Sequence, residues 1–286
     1  MKHLKAALLC FAIAFLILIS GCSGNTEGID PTQATLSVRV LQSGKSDCIL
    51  VKAKDYTVLI DCADEDDFPV IDKTLKSEGI ERIDLMVLTH FDNDHIGSAL
   101  EVLKEYKVDR MVMPDYVRHS KLTRGILEHL DQNRQIESRR LKRETLEIEI
   151  ADGISMEICA AIKDMGVEDN ANSLISVITL DDGGKLLFTG DATRERLGEF
   201  LEDRPGERYV FAKLAHHGGY NSSVKQLLSQ NDLRYAAVTV GSLEDADNKT
   251  LVLLKKTSIK TFFTCEGEIR LLYKDGQYEY SQASGK

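Results

Sequence analysis

The sequence predicts an α/β protein, built as a sandwich of two similar halves with polar loops along one edge. Apolar, β-branched runs typical of buried strands alternate with stretches of helical periodicity along the chain. Candidate metal-binding side chains also follow directly after three separate strands, at His90, Asp191 and His216. Because α/β proteins place their sites at the carboxyl ends of strands, this repetition predicts one layered domain with a single site.

The N-terminus has the pattern of a bacterial lipoprotein signal. Lys2 and Lys5 precede an apolar run over residues 6–19, which is short for a membrane span. The run ends in Ile19-Ser-Gly-Cys22, which resembles a lipobox and implies that Cys22 carries lipid. The alternative is an uncleaved anchor in which Cys22 is an ordinary thiol.

This pattern predicts three segments and a location for the protein. A flexible tether rich in Ser, Gly, Asn and Thr would follow the signal and precede the folded domain. We expect the domain to be lipid-anchored on the extracytoplasmic face of the cell membrane. The predicted segments are a signal peptide with lipobox over 1–22, a tether over 23–34 and a folded domain over 35–280.

Charge and cysteine content restrict the possible functions. With 36 basic and 46 acidic residues, the formal net charge is −10, which disfavours tight non-specific nucleic-acid binding by the whole surface. A local basic groove remains compatible with this charge. Four cysteines beyond the signal are scattered singly and predict buried free thiols, although the first two could meet on one hairpin; they are Cys48, Cys62, Cys159 and Cys265.

The first half of the domain reads as a hairpin followed by alternating helices and strands. Its predicted elements are strands 36–40, 48–53 and 57–61, helix 69–78, a buried strand from Leu85, helix 96–106 and strand 110–113.

Four potential ligands follow the buried strand within six positions: His90, Asp92, Asp94 and His95. Imidazole nitrogens and carboxylate oxygens suit a divalent first-row metal. The alternative is an acidic turn that caps the next helix, with Asp94 near the helix N-terminus. The density of ligands at a strand's carboxyl end favours the metal site.

The second half repeats this arrangement. Its predicted elements are helix 121–135, strands 145–150, 155–160, 173–180 and 185–189, helix 195–202, strands 210–214 and 235–240, helix 251–256, and strands 260–264 and 268–273. His119, His129 and the basic run Arg139–Arg143 are predicted to be solvated. Asp191 follows one strand and could instead cap helix 195–202, while His216 and His217 follow another.

These motifs resemble the metallo-β-lactamase fold. Thr89–His95 resembles its T-H-x-H-x-D-H loop with Asp92 replacing a His, and this form is similar to the C-terminal hydrolase domain of ComEC competence proteins. The resemblance covers about residues 35–275 and implies a four-layer αββα sandwich. Further matches are Leu59–Asp61 to L-I-D, Asn170–Leu174 to N-x-N-S-L, Leu187–Asp191 to L-x-T-G-D and His216–Gly219 to H-H-G-S.

The resemblance implies a site for two divalent ions, zinc or manganese. His90 and Asp92 would hold one ion and Asp94 and His95 the other, with Asp191 as the bridge and His216 as a further ligand. His217 is a second ligand or a donor to the substrate, and Asp94 and His217 are the candidate catalytic residues. Asp61 and Asn172 are predicted to support the ligands from behind.

Two ions sharing a hydroxide would supply a nucleophile at neutral pH, and an oxygen-rich site suits phosphoryl groups. The sequence therefore predicts a metal-dependent phosphodiesterase acting on nucleic acid or an envelope polymer. The alternatives are lactam or thioester hydrolysis, and a binding module that has lost catalysis. ComEC-like proteins carry an N-x-Y-G-H-P run after Gly241, but this chain lacks its His. Either Asp245 or Asp247 substitutes, the substrate site is altered, or activity has decayed.

Overall fold

The computed structural model describes residues 28–116, 118–166, 168–230 and 232–283. Seven α-helices lie in these ranges: α1 Phe68–Ser77, α2 Asn93–Ile96, α3 Ala99–Glu105, α4 Lys121–Gln132, α5 Arg194–Asp203, α6 Ser222–Leu228 and α7 Asn248–Lys255. The same ranges contain fifteen strands: β1 Leu36–Val40, β2 Ile49–Ala53, β3 Tyr56–Ile60, β4 Arg82–Val87, β5 Lys107–Pro114, β6 Glu137–Leu141, β7 Thr145–Ala151, β8 Ile154–Cys159, β9 Ile175–Thr179, β10 Lys185–Phe188, β11 Phe211–Lys213, β12 Tyr235–Val238, β13 Lys260–Phe263, β14 Ile269–Lys274 and β15 Gln277–Gln282.

The strands form two sheets whose orders explain how distant segments meet. One sheet has the order β15-β14-β1-β2-β3-β4-β5-β6, and the other has the order β13-β12-β11-β10-β9-β8-β7. β14 pairs antiparallel with β1, with Val38 opposite Leu271. The prediction that β14 completes the second half is therefore wrong, because the chain returns to the first sheet for its last two strands.

Three apolar clusters confirm the predicted four-layer sandwich. Alternate side chains of the two sheets, such as Val51 and Met156, meet in a central core. The opposite face of the first sheet packs against α1, α3 and α4, where Leu59 shares a cluster with Leu75. The outer face of the second sheet packs in the same way against α5 and α6. Burial on both faces explains the almost continuous apolar runs of the central strands.

The predicted helix 96–106 corresponds to α3, whereas α2 ends at Ile96, directly before Gly97. A Cβ at Gly97 would lie 2.3 Å from the backbone carbonyl carbon of Asp64, so only glycine permits this close approach. This approach brings the loop Thr89–His95 against the segment that follows β3.

Four elements were missing from the prediction: α2, α6, β6 and β15. β6 contains Arg139 and lies at a sheet edge with four of its five residues exposed. The polar composition of β6 gave no strand pattern in the sequence. The predicted exposure of the basic run is confirmed. Edge strands commonly carry charged side chains, which discourage pairing with other chains.

Within the segment predicted as a tether, Pro31–Gln33 form a short 3₁₀ helix capped by Asp30. The predicted signal peptide and Cys22 lie outside the described residues. Among the residues described, no helix is long and apolar enough to cross a membrane. All four described cysteines are free, as predicted; three are buried and Cys265 is partly exposed.

Candidate metal centre

Loops from both sheets meet at the edge of the sandwich. Asp61 and His90 follow the parallel strands β3 and β4, while Asp191 and His217 follow the parallel strands β10 and β11. Gly190 makes this meeting possible, since a Cβ there would lie 2.9 Å from Thr89. The predicted convergence of the two halves is therefore present in the structure.

Four side chains form the centre of the site, and we call them the tetrad: Asp94, His95, Asp191 and His217. One ligating atom from each lies within 4.8 Å of the others. Asp191 links the two histidines, with Oδ1 3.3 Å from His95 Nε2 and Oδ2 3.2 Å from His217 Nε2. Asp94 Oδ2 lies 3.1 Å from the same His217 nitrogen. The carboxylate expected to bridge two ions thus occupies the middle of the tetrad.

The donor atoms fit a divalent cation. Nε2 of His90, Nε2 of His95 and Oδ1 of Asp191 are buried and have no hydrogen-bond partner. Buried polar atoms are nearly always paired, so several unpaired ligand atoms in one place indicate that an ion belongs there. Imidazole nitrogen and carboxylate oxygen are the donor types that zinc and manganese accept.

The capping alternative fails for both carboxylates. α5 is capped by Thr193, whose Oγ1 accepts from Arg196 N at 3.3 Å, so Asp191 is not the cap. α2 begins after Asp92 without a side-chain capping bond, and Asp94 reaches across to His217 instead.

The structure places His90 and Asp92 beside the tetrad. The His90 and His95 rings are 4.0 Å apart, and His90 Nε2 lies 3.4 Å from Asp92 Oδ2. The other oxygen of Asp92 accepts from Arg118, which also pairs with Asp169. Contacts with His90 and Arg118 hold the pKa of Asp92 far below its usual range.

Asp61 makes hydrogen bonds to both ends of the loop Thr89–His95. Its carboxylate accepts from His95 Nδ1, from Thr89 Oγ1 and from Thr89 N, each at 2.7 Å. Holding Nδ1 in this way turns Nε2 of His95 toward the tetrad, an arrangement typical of metal-binding histidines. Asn172 makes no comparable contact, since its amide donates to the carbonyls of Gly166 and Glu168 within its own loop.

The two adjacent histidines lie in different surroundings. His216 is exposed, whereas His217 is buried within the tetrad. Nδ1 of His217 lies 3.0 Å from the carbonyl oxygen of Thr239. Burial alone would lower the pKa of His217, but Asp191 and Asp94 outweigh it and raise that pKa to about 9. His217, predicted as a second ligand or a donor to the substrate, is therefore a member of the tetrad, whereas His216, predicted as a ligand, lies outside it.

A buried cation that the sequence analysis missed lies behind Asp191. Lys213 is fully buried, and its Nζ contacts Asp47 Oδ2, the Gly190 carbonyl at 3.2 Å and Asp191 Oδ1 at 3.5 Å. Burial alone would lower the pKa of Lys213, but the two carboxylates raise it. A lysine inside the apolar run Val210–Ala215 was the available signal, because an unpaired lysine is almost never fully buried.

The loop that lacks the ComEC-type histidine does not supply a replacement. Asp245 accepts from Ser242 N at 2.7 Å, and Asp247 accepts from Lys249 N at 2.7 Å. Both carboxylates cap the segments that they begin or close, so substitution by either residue is not favoured.

A profile of the Metallo-beta-lactamase superfamily matches residues 42–241, which include every member of the tetrad. The chain belongs to the metallo-beta-lactamase superfamily. Members of this superfamily are generally metal-dependent hydrolases, and the tetrad is a candidate metal-binding cluster of this kind.

Curated relatives confirm the predicted similarity to competence proteins. The chain is 26% identical to ComE operon protein 3 of Bacillus subtilis (strain 168), over 93% of this chain and 36% of that protein. It is 24% identical to Competence protein ComA of Neisseria gonorrhoeae, over 80% of this chain and 30% of that protein. The chain thus spans about a third of the length of these relatives.

Among solved structures, the metallo-beta-lactamase fold protein YhfI from Bacillus subtilis is similar with a TM-score of 0.53. The match has 12% identity and covers 86% of this chain and 99% of that one, and it supports the fold.

Proposed function

We propose that this protein is a metal-dependent phosphodiesterase that cleaves nucleic acid or a phosphodiester-bearing envelope polymer. The observation that carries the proposal is the tetrad, in which Asp191 lies between two histidines and its buried Oδ1 accepts no hydrogen bond. Asp94, His95, Asp191 and His217 would hold one divalent ion, and His90 and Asp92 would hold a second beside Asp191. Zinc or manganese is the expected metal.

Ions bound at this site would provide Lewis acidity, which polarises a phosphoryl oxygen and brings the pKa of water toward about 7. The protein's own groups would orient the ligands and move protons. Asp61 holds the ring of His95, and the Thr239 carbonyl holds that of His217. The Asp94 side chain is 32% exposed, against 4% for Asp191, which supports Asp94 as the group that would accept a proton from an attacking water.

The donor set and its surroundings favour a phosphodiester over a lactam or thioester. Asp92 replaces a histidine and makes the site richer in oxygen and in negative charge. Arg118 adds a guanidinium at the rim, and guanidinium geometry matches phosphoryl oxygens. A relative named a competence protein makes DNA the first polymer to test.

One observation favours a second candidate, a binding module that has lost catalysis. The loop after Gly241 lacks the histidine of ComEC-like proteins, and Asp245 and Asp247 serve there as caps. If this candidate is correct, the tetrad would bind metal without turnover.

The test begins with the metal content of purified protein lacking residues 1–22. Hydrolysis of bis-p-nitrophenyl phosphate, DNA and nitrocefin would then be measured with added Mn²⁺ or Zn²⁺. Diesterase turnover that disappears in Asp191→Ala supports the proposal. Nitrocefin turnover alone would indicate a lactamase, and metal binding without any turnover would indicate the binding module.

We also propose that lipid on Cys22 anchors the protein to the outer face of the membrane. Cys22→Ala should release or mislocalise the protein without altering the folded domain, as checked by fractionation and circular dichroism. Unchanged membrane fractionation of a processed variant, or no lipid label on the wild type, would contradict the anchor.

A further inference from the structure

Arg118 contacts Asp92, the carboxylate that an ion bound at His90 and Asp92 would need as a ligand. One guanidinium nitrogen contacts Asp92 Oδ1 and also Asp169 Oδ2. The second Asp92 oxygen lies 3.4 Å from His90 Nε2, which has no hydrogen-bond partner. Asp92 therefore lies between the free ring nitrogen of His90, which could bind a metal, and Arg118, which already supplies positive charge.

We propose that Arg118 competes with the second ion for Asp92, and that it binds a phosphoryl oxygen once the ion has displaced it. The inference rests on the proposed metal-dependent function. A guanidinium and a divalent cation placed against one carboxylate repel each other, so binding of the ion weakens the Arg118–Asp92 pair. Asp169 keeps its own contact with Arg118 and retains the guanidinium at the rim.

The surroundings of Arg118 suit an anionic ligand. Arg118 lines a groove of about 460 Å³ together with Lys121, Arg124 and Arg140. Glu128 and Asp131 also line it, so the groove is mixed but contains more cations than anions. A released arginine beside three other cations can take a phosphoryl oxygen of a substrate held at the metal centre.

The tetrad faces weaker competition of this kind. Its bridging carboxylate is 3.5 Å from Lys213, but Lys213 contacts Asp47 more closely and is buried beneath the site. The two positions should therefore fill in order, the tetrad first and the His90–Asp92 position second.

The first experiment titrates Mn²⁺ into metal-free protein lacking residues 1–22 by calorimetry. The second binding event is identified as the one that Asp92→Asn removes. Arg118→Gln should strengthen that event about fivefold, the value of a partly exposed ion pair, and leave the first event unchanged. Arg124→Ala is the matched control, because it removes the same charge from the same groove without touching Asp92.

An unchanged or weaker second event in Arg118→Gln would overturn the competition, and Arg118→Ala would be measured to confirm that result. Absence of the first event in the wild type would instead reject the proposed metal site itself. The two failures are therefore distinguishable.

The second experiment measures binding of inorganic phosphate to protein loaded with both ions. Wild-type protein should bind phosphate more tightly than Arg118→Gln, and its advantage should disappear when only the tetrad is filled. Equal phosphate affinity in the two fully loaded proteins would overturn the role of Arg118 as a phosphoryl-binding residue.

Discussion

Replacing Lys213 by methionine should destabilise the metal-free protein strongly. The side chains of Lys213 and Asp47 are 0% and 1% exposed, so no solvent screens the Asp47 charge that the replacement leaves behind. Breaking a buried ion pair by removing one partner costs about 3–5 kcal/mol. A domain of this size loses about 2–4 °C in Tm for each kcal/mol, so Lys213→Met should lower the Tm by about 6–20 °C.

The assay is thermal and urea denaturation of metal-free protein lacking residues 1–22, followed by circular dichroism. Lys185→Met is the matched control, since Lys185 pairs with Glu207 at 2.7 Å but both side chains are partly exposed. That control should cost about 1 kcal/mol or less. Adding Asp47→Asn to Lys213→Met should recover most of the lost stability, because the double variant leaves no buried charge unpaired.

The stability of Lys213→Met relative to Lys185→Met tests whether the Lys213–Asp47 pair is buried and mutually dependent. A Lys213→Met variant no less stable than Lys185→Met would show that the Lys213–Asp47 pair is not a buried, mutually dependent pair. A double variant less stable than Lys213→Met would show that Asp47 acts mainly through Thr239, whose Oγ1 donates to it at 2.6 Å.

Three further predictions concern the metal, pH and thiols. Asp191→Ala should abolish diesterase activity and release more metal than Asp92→Ala, because Asp191 contacts both tetrad histidines. The control His119→Ala should change neither activity nor metal content. Retention of two metals and near-normal turnover in Asp191→Ala would reject the bridging role. Burial alone would raise the pKa of Glu78, but Arg39 at 2.7 Å outweighs it and lowers that pKa. The resulting stabilisation is present above the unfolded pKa of about 4.3 and is lost as pH falls through the folded pKa. Urea titrations should therefore show that the free energy of unfolding of Glu78→Gln falls less in acid than that of the wild type. Identical pH profiles of the two proteins would contradict this. Cys265 should react with a thiol reagent before the fully buried Cys48 and Cys62, whose pKa values are raised well above normal by burial, and simultaneous labelling would argue against that burial.

Much of the fold follows from local sequence pattern. The apolar run before His90 predicted a strand that the structure contains, and the predicted strands 173–180 and 185–189 correspond to β9 and β10, which pair antiparallel. Local pattern is sufficient because burial on one or both faces of a strand determines its composition directly. The same logic predicted that His90, Asp191 and the pair His216–His217 lie near one another, since the carboxyl ends of parallel strands share an edge.

Only the tertiary structure decided which groups complete the site. Asp47 and Lys213 are 166 residues apart in sequence, and their pairing depends on how the two sheets pack. His216 and His217 are neighbours with nearly equal φ angles of 50° and 52°, yet only His217 turns inward. β14 reaches the first sheet through pairing with β1 across more than 200 residues. Sequence patterns record how buried each position is, whereas the partner of a charge, the direction of a ring and the neighbour of an edge strand are set by long-range packing.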